Sequence, residues 1–236
     1  ILEMPGIEVN EEADLLISTS HCVAKGLKPR PGTKHLCYCF TPMRYAWTFR
    51  DEYFGRGSLK SAAASLVLPR LRRWDKNASS RVDRFVALSR HVQKRVADFY
   101  GRESDVVYPF VDIDRWTPGG STGKFDLIVS ALVPYKRIDL AVRAFTEMYK
   151  PLVVIGEGRD RAALQAIAGK NVTFTGRLPF DQMRDYLARC RAFVFPGLED
   201  FGITPVEAQA SGRPVIAFAS GGLASRSSPA TSTKRS

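Results

Sequence analysis

Residues 125–158 read FDLIVSALVPYKRIDLAVRAFTEMYKPLVVIGEG. A short apolar run, 125–131, is followed by 137–149, where Leu140, Ala141, Ala144, Phe145 and Met148 recur at helical spacing. A second apolar run, 152–155, closes on Gly156-Glu157-Gly158. Strand, helix and strand, with both strands apolar throughout, is the pattern of a parallel pair covered on both faces. The alternation continues downstream. It predicts a helix over 160–168, a strand over 172–174, a helix over 180–188, a strand over 192–195, a helical turn or two over 204–210 and a strand over 214–218. Right-handed crossovers make such a series a Rossmann-like, doubly wound sheet.

Upstream the pattern is less regular. Strands are expected at 15–18, 36–40, 84–88 and 106–108, with a basic amphipathic helical region over 59–74 interrupted at Pro69. Ser89 caps a helix over 90–100 that ends at Gly101. This half is also α/β, with too few strands for a complete sheet. Pro118, Gly119, Gly120, Ser121, Thr122 and Gly123 fall between the halves and read as a linker. The expected organisation is a partial domain over 1–111, a linker over 112–124, a second partial domain over 125–222 and a disordered tail over 223–236. That tail is rich in serine and threonine and has no acid.

The 236 residues are 44% hydrophobic, the profile of a globular protein. No apolar run approaches the length of a membrane-spanning helix. The opening residues lack the basic-then-apolar pattern of a secretory leader, so a cytoplasmic location is expected. Lysine and arginine number 35 against 24 acids, and residues 44–102 hold 14 basic and 5 acidic residues. Such a surface suits nucleotides, phospholipid headgroups or nucleic acid. The cations are not interleaved with aromatics at a recognisable spacing, which argues against a nucleic-acid partner. The stretch from Arg70 to Arg84, with Trp74, reads equally as a peripheral contact with an anionic bilayer or as an ordinary basic surface helix. Cys22, Cys37, Cys39 and Cys190 form no Cys-x-x-Cys pair, and His21, His35 and His91 are scattered. No metal site is expected, and free thiols in a reducing compartment are.

Ligands of an open parallel sheet bind beyond the carboxyl ends of its strands. The loops there carry Pro134-Tyr135-Lys136-Arg137, Gly156-Glu157-Gly158, Thr175-Gly176-Arg177 and Pro196-Gly197-Leu198-Glu199-Asp200-Phe201-Gly202. Cations, bare backbone and carboxylates are the parts that hold a sugar nucleotide. Gly156-x-Gly158 alone reads as a tight strand-to-helix turn. Position 161 is arginine where a dinucleotide fingerprint needs glycine, and no acid ends the next strand, so an NAD site is not expected.

Together these residues resemble glycosyltransferase family 4, retaining transferases of GT-B fold. The most specific element is Glu199-Asp200-Phe201-Gly202-Ile203-Thr204-Pro205-Val206-Glu207, two glutamates separated by seven residues. Ala210-Ser211-Gly212-Arg213-Pro214-Val215-Ile216-Ala217, Gly221-Gly222 and the phosphate-loop segment from Val129 to Arg137 match as well. The segment from Tyr38 to Trp47, Arg72-Arg73-Trp74-Asp75 and Tyr108-Pro109-Phe110-Val111-Asp112 are similar to a subgroup of O-antigen mannosyltransferases. The resemblance runs from about Asp14 to Gly222.

It implies two Rossmann-like doubly wound domains, both incomplete here, in a chain truncated at both ends. By analogy Glu207 holds the nucleotide ribose and Glu199 the hexose hydroxyls. The backbone of Phe201, Gly202 and Ile203 lies near sugar and phosphates, and Lys136 stabilises the leaving diphosphate. Arg137 substitutes for an arginine the family often has at the position of Ala131. Gly156, Gly158, Gly176 and Arg177 complete the donor side. His21, Phe40, Met43, Arg44 and Tyr45 form the acceptor or sugar side. Phe40 replaces the subgroup's usual histidine and cannot donate a hydrogen bond to a hydroxyl. The implied substrates are GDP-mannose, with UDP-hexoses next, and a lipid-linked or polysaccharide acceptor, with no metal or resident cofactor. The alternatives are a nucleotide-binding fragment with impaired catalysis and a basic nucleic-acid-binding protein.

Overall fold

The structure, a computed structural model, describes residues 7–55, 57, 59–119 and 122–223. The expected disordered tail, beyond Leu223, lies outside the described residues. The chain divides into two compact units, Ile1–Pro109 and Phe110–Ser236.

Unit 1 holds strands β1 (Leu15–Ser20), β2 (Lys34–Cys39), β3 (Arg84–Ala87) and β4 (Ser104–Val106), all parallel and ordered β1-β2-β3-β4. Between β2 and β3 run helices α1 (Arg44–Trp47), α2 (Arg50–Phe54) and α3 (Leu59–Ala78), and α4 (Arg90–Tyr100) joins β3 to β4. Chain order equals spatial order, so every right-handed crossover steps the same way and lays its helices on one face. That face buries His35, Cys37, Cys39, Phe85 and Ala87, while Leu15 and Ile17 on the other face are 50% and 59% exposed. Of the two windings expected, unit 1 contains one, because its few strands never reverse direction.

Helix α4 begins as expected, with Ser89 Oγ accepting from the Val92 amide, and ends at Gly101 in the left-handed region. Helix α3 differs from expectation: it passes through Pro69 without a break. Pro69 lies on the exposed side of the helix, so the backbone bond it removes is on the side open to water. The strand expected at 106–108 sits two residues earlier, at β4, although the Val107 amide still bonds the Ala87 carbonyl at 3.1 Å.

Lys25 and Asp75 form a fully buried ion pair in unit 1. Asp75 also accepts from Trp47 Nε1 at 2.7 Å and from the Tyr100 hydroxyl at 2.8 Å, and Lys25 Nζ donates to the Cys22 carbonyl at 2.7 Å. Trp74 packs inward, its ring nearly filling the space beside Gly26. Trp74 is therefore partly buried against the core of unit 1.

Unit 2 holds β5 (Asp126–Val129), α5 (Ile138–Met148), β6 (Leu152–Ile155), α6 (Arg161–Ala166), β7 (Val172–Gly176), α7 (Phe180–Arg189), β8 (Phe193–Phe195), α8 (Ile203–Ala210) and β9 (Val215–Ala217). The sheet is parallel in the order β7-β6-β5-β8-β9. Winding runs one way from β5 to β7 and the other way from β8 to β9. Two cores result. Val142, Phe145 and Leu164 from α5 and α6 cover one face with Ile128 and Val154. Leu187 and Ala208 from α7 and α8 cover the other with Leu127 and Phe193. Arg137 and Tyr149, at φ 51° and 52°, bracket α5 in the left-handed region.

The segment 112–124, expected as linker, falls in unit 2. Trp116 is buried against Phe180 in the core that holds Ala208. Arg213 Nη2 donates to the Gly119 carbonyl at 2.9 Å, and its Nη1 to Thr122 Oγ1 at 2.9 Å. All four cysteines are free thiols, and burial pushes Cys190 up to about 11.

Candidate active site

Strands β5 and β8 are neighbours whose crossovers run in opposite directions, the switch point beyond which ligands of an open parallel sheet bind. The β5 loop, 130–137, brings Lys136 to this point and the β8 loop, 196–202, brings Glu199. Their side chains, 17% and 12% exposed, form an ion pair. Lys136 Nζ also lies 5.4 Å from the Tyr135 ring centre and 5.7 Å from that of Phe195. Gly197 permits this approach, because a Cβ there would stand 2.7 Å from the Lys136 carbonyl oxygen.

The turn Gly221-Gly222 holds the Glu199 segment from behind. The Gly222 amide bonds the Glu199 carbonyl at 2.7 Å, and a Cβ at Gly222 would meet the Asp200 carbonyl at 2.0 Å. Phe201 is buried, and Gly202, at φ 78°, turns the chain into α8. Gly202 is the N-cap of α8, so the helix opens on a residue without a side chain, with the positive end of its dipole at the switch point. Ile203 is exposed there at 47%. Glu207, one turn further on, is half-buried. Burial raises its carboxyl above the usual range, and Arg115 opposes that shift. The Arg115 guanidinium stacks 4.2 Å from the Phe180 ring centre. Sequence reading missed Arg115. Its one signal is its place in the segment that follows Asp112.

The other donor-side residues divide. Gly156 and Gly158 are needed for packing between loops: a Cβ would stand 1.9 Å from the Ser130 carbonyl at the first and 2.2 Å from the Leu132 carbonyl at the second. The Leu132 amide bonds the Glu157 carbonyl at 2.9 Å, and the Asp160 amide the Leu132 carbonyl at 3.1 Å. Gly176 carries φ 76° and lies against Glu157, which pairs with Arg161. Arg177 is exposed beside it. Arg137, next to Lys136, pairs with Asp139 at 3.2 Å.

In unit 1, β1 and β2 pair with Ser20 opposite Cys39, which brings His21 and Phe40 to adjacent strand ends. His21 is exposed, and Phe40 is 36% exposed with its ring edge-on to Tyr38 at 5.4 Å. The Tyr45 hydroxyl lies 3.1 Å from Cys22 Sγ, and burial raises its pKa. Arg44 is half-buried. Met43 is fully buried in the core with Val23, Ala46 and Leu68, so it presents no surface to a ligand.

Residues 125–229 match the family model described as Glycosyl transferases group 1. A GDP-mannose-dependent monoacylated alpha-(1-6)-phosphatidylinositol monomannoside mannosyltransferase of Corynebacterium glutamicum is 30% identical over 220 residues, covering 74% of this chain and 58% of that protein. A GDP-mannose-dependent alpha-mannosyltransferase of Mycolicibacterium smegmatis is 34% identical over 187 residues, covering 72% and 46%. The chain spans roughly half the length of the curated relatives it matches, 43% of an uncharacterized glycosyltransferase of Methanocaldococcus jannaschii among them. Sucrose-phosphate synthase from Thermosynechococcus elongatus superposes with a TM-score of 0.68 at 16% identity, over 89% of this chain and 57% of that one. Anabaena HepE in complex with UDP and glucose gives 0.58 at 18% identity, over 80% and 60%. These likenesses place the fold with the GT-B glycosyltransferases.

Proposed function

We propose, on the match of residues 125–229 to the glycosyl transferases group 1 model, that this protein moves a hexose from a nucleotide-sugar to a lipid-linked or glycan acceptor. The observation that carries the reading is the meeting of Lys136 and Glu199 at the switch point of the unit 2 sheet, beside the N-terminus of α8. A fixed cation and helix amides there suit a diphosphate. Charge grows on the diphosphate as the anomeric C–O bond breaks, and Lys136 stabilises that charge. Glu199 accepts hydrogen bonds from the hexose and Glu207 from the ribose. Attack from the face the diphosphate leaves gives retention. Arg177 offers a second cation at the edge of the site.

GDP-mannose is the first donor to test, because relatives at about 30% identity are named as GDP-mannose-dependent. A UDP-hexose is second. The side chains of the site need no metal for this role. We place the protein in the cytoplasm, in peripheral contact with the inner membrane face. Its free thiols suit a reducing compartment. Among the described residues no helix is long and apolar enough to cross a membrane.

The test is turnover of GDP-mannose in the presence of an acceptor. Lys136→Ala should lower turnover by about 100-fold, as removal of a transition-state donor does, with a much smaller loss in binding of the bare nucleoside. Equal losses in both would remove Lys136 from the chemistry. A second reading, a nucleotide-binding fragment without transfer, draws on Phe40, whose exposed ring offers no hydrogen bond at the sugar-side strand end. Nucleotide binding without turnover would favour it.

A further inference from the structure

Helix α3 turns its apolar and basic residues outward together. Leu66 is 76% exposed and Val67 59%, and Arg70 and Arg73 are exposed too. Leu66, Arg70 and Arg73 are spaced i, i+4, i+7, so they form one line down the helix, with Ala62 continuing it upward and Asn77 downward. Val67 and Lys76 flank the line. The opposite side carries Ala64, Leu68 and Asp75 into the core. A helix whose outer face holds two adjacent large aliphatics is not stabilised by water there.

Charge decides what fits this face. No acid occurs between Glu52 and Asp75. Asp75 has no exposed surface and is held by Lys25, Trp47 and Tyr100. The outward face is thus cationic, with an apolar end. From Leu66 to Lys76 it extends about 15 Å along the axis.

We propose that this face of α3 docks on an anionic phospholipid surface, Leu66 and Val67 entering the acyl boundary while Arg70, Arg73 and Lys76 meet headgroup phosphates. Trp74, which reads in the sequence equally as a lipid contact or as part of an ordinary surface helix, is partly buried against the core; Leu66 and Val67 supply exposed apolar surface instead. The inference deepens the lipid-linked acceptor reading by naming the surface. Its test reads partition and not transfer, so the two fail separately.

The test is co-sedimentation of the full chain with phosphatidylcholine vesicles, with and without phosphatidylglycerol. Salt-sensitive binding to the anionic vesicles is expected. Arg70→Gln with Arg73→Gln should weaken it roughly 25-fold, about fivefold per charge. Leu66→Ser with Val67→Ser should weaken it about tenfold or more at unchanged charge. The outward positions leave the core intact, and unchanged circular dichroism checks this. Arg143→Gln with Lys170→Gln removes the same charge from exposed positions in unit 2 and should change binding by no more than about twofold. Three results would overturn the proposal: no binding to anionic vesicles, an equal loss in the unit 2 control, or indifference to the Leu66 and Val67 changes. The last would mark a general polyanion surface, nucleic acid included.

Discussion

Glu207 shows how one residue links fold to pH. Burial on α8 raises its carboxyl, and Arg115 draws it back. In the proposed role the ionised form accepts two ribose hydroxyls. Nucleotide affinity should therefore fall as pH drops through a midpoint above the usual carboxylate range. Arg115→Gln should move that midpoint to higher pH, and Glu207→Gln should remove the titration. Calorimetric affinities measured across the acid range check this; a flat profile in the parent chain would show that Glu207 does not bear on the ligand. The two glutamates and Lys136 were legible in sequence because loop position after apolar strands is a local pattern. The Lys136–Glu199 contact, between residues 63 apart, was not, since it depends on strand order. Arg115 was hidden for the same reason, lying in a stretch whose composition read as linker.

At the scale of elements, glycines and a buried pair carry the argument. Gly156-x-Gly158 was readable as a turn after a strand. Its reason, the carbonyls of Ser130 and Leu132 against both Cα atoms, needed the neighbouring loop. Gly158→Ala should cost about 1–3 kcal/mol by overpacking, measured in denaturant, and should displace the Lys136 loop. Stability equal to the parent's would show that the loops part freely. Lys25 and Asp75 gave no signal in composition, because a lysine and an aspartate fifty residues apart read as surface charges. Asp75→Ala strands a buried ammonium and should cost about 3–5 kcal/mol. A loss below about 1 kcal/mol would mean that water reaches Lys25. Pro69 misled in the other direction: a helix breaker by propensity, it sits where the missing bond is tolerated on the exposed side.

On the scale of the whole chain, strand order explains which residues meet. Unit 2 reverses its winding between β7 and β8 and so acquires both a second core and a switch point. The α/β alternation that fixes this was plain in the sequence, and observed elements fall within a few residues of expectation. Unit 1 never reverses, leaving Leu15 and Ile17 uncovered on one sheet face. Sequence reading saw a shortage of strands there but not which face would be bare, because handedness acts only once the order is known.

In the proposed function the unit 2 switch point binds a nucleoside diphosphate through Lys136 and the carboxylate of Glu207. Calorimetric titration of the full chain with GDP, UDP and ADP, after a cooperative denaturant transition has been established, tests it most directly. Saturable binding of one nucleotide, GDP first, is expected, weakened about tenfold or more by Glu207→Gln, the scale of a hydrogen bond to a charged group. A cooperatively folded chain that binds none of the three, or a Glu207→Gln variant that binds as tightly as the parent, would contradict it.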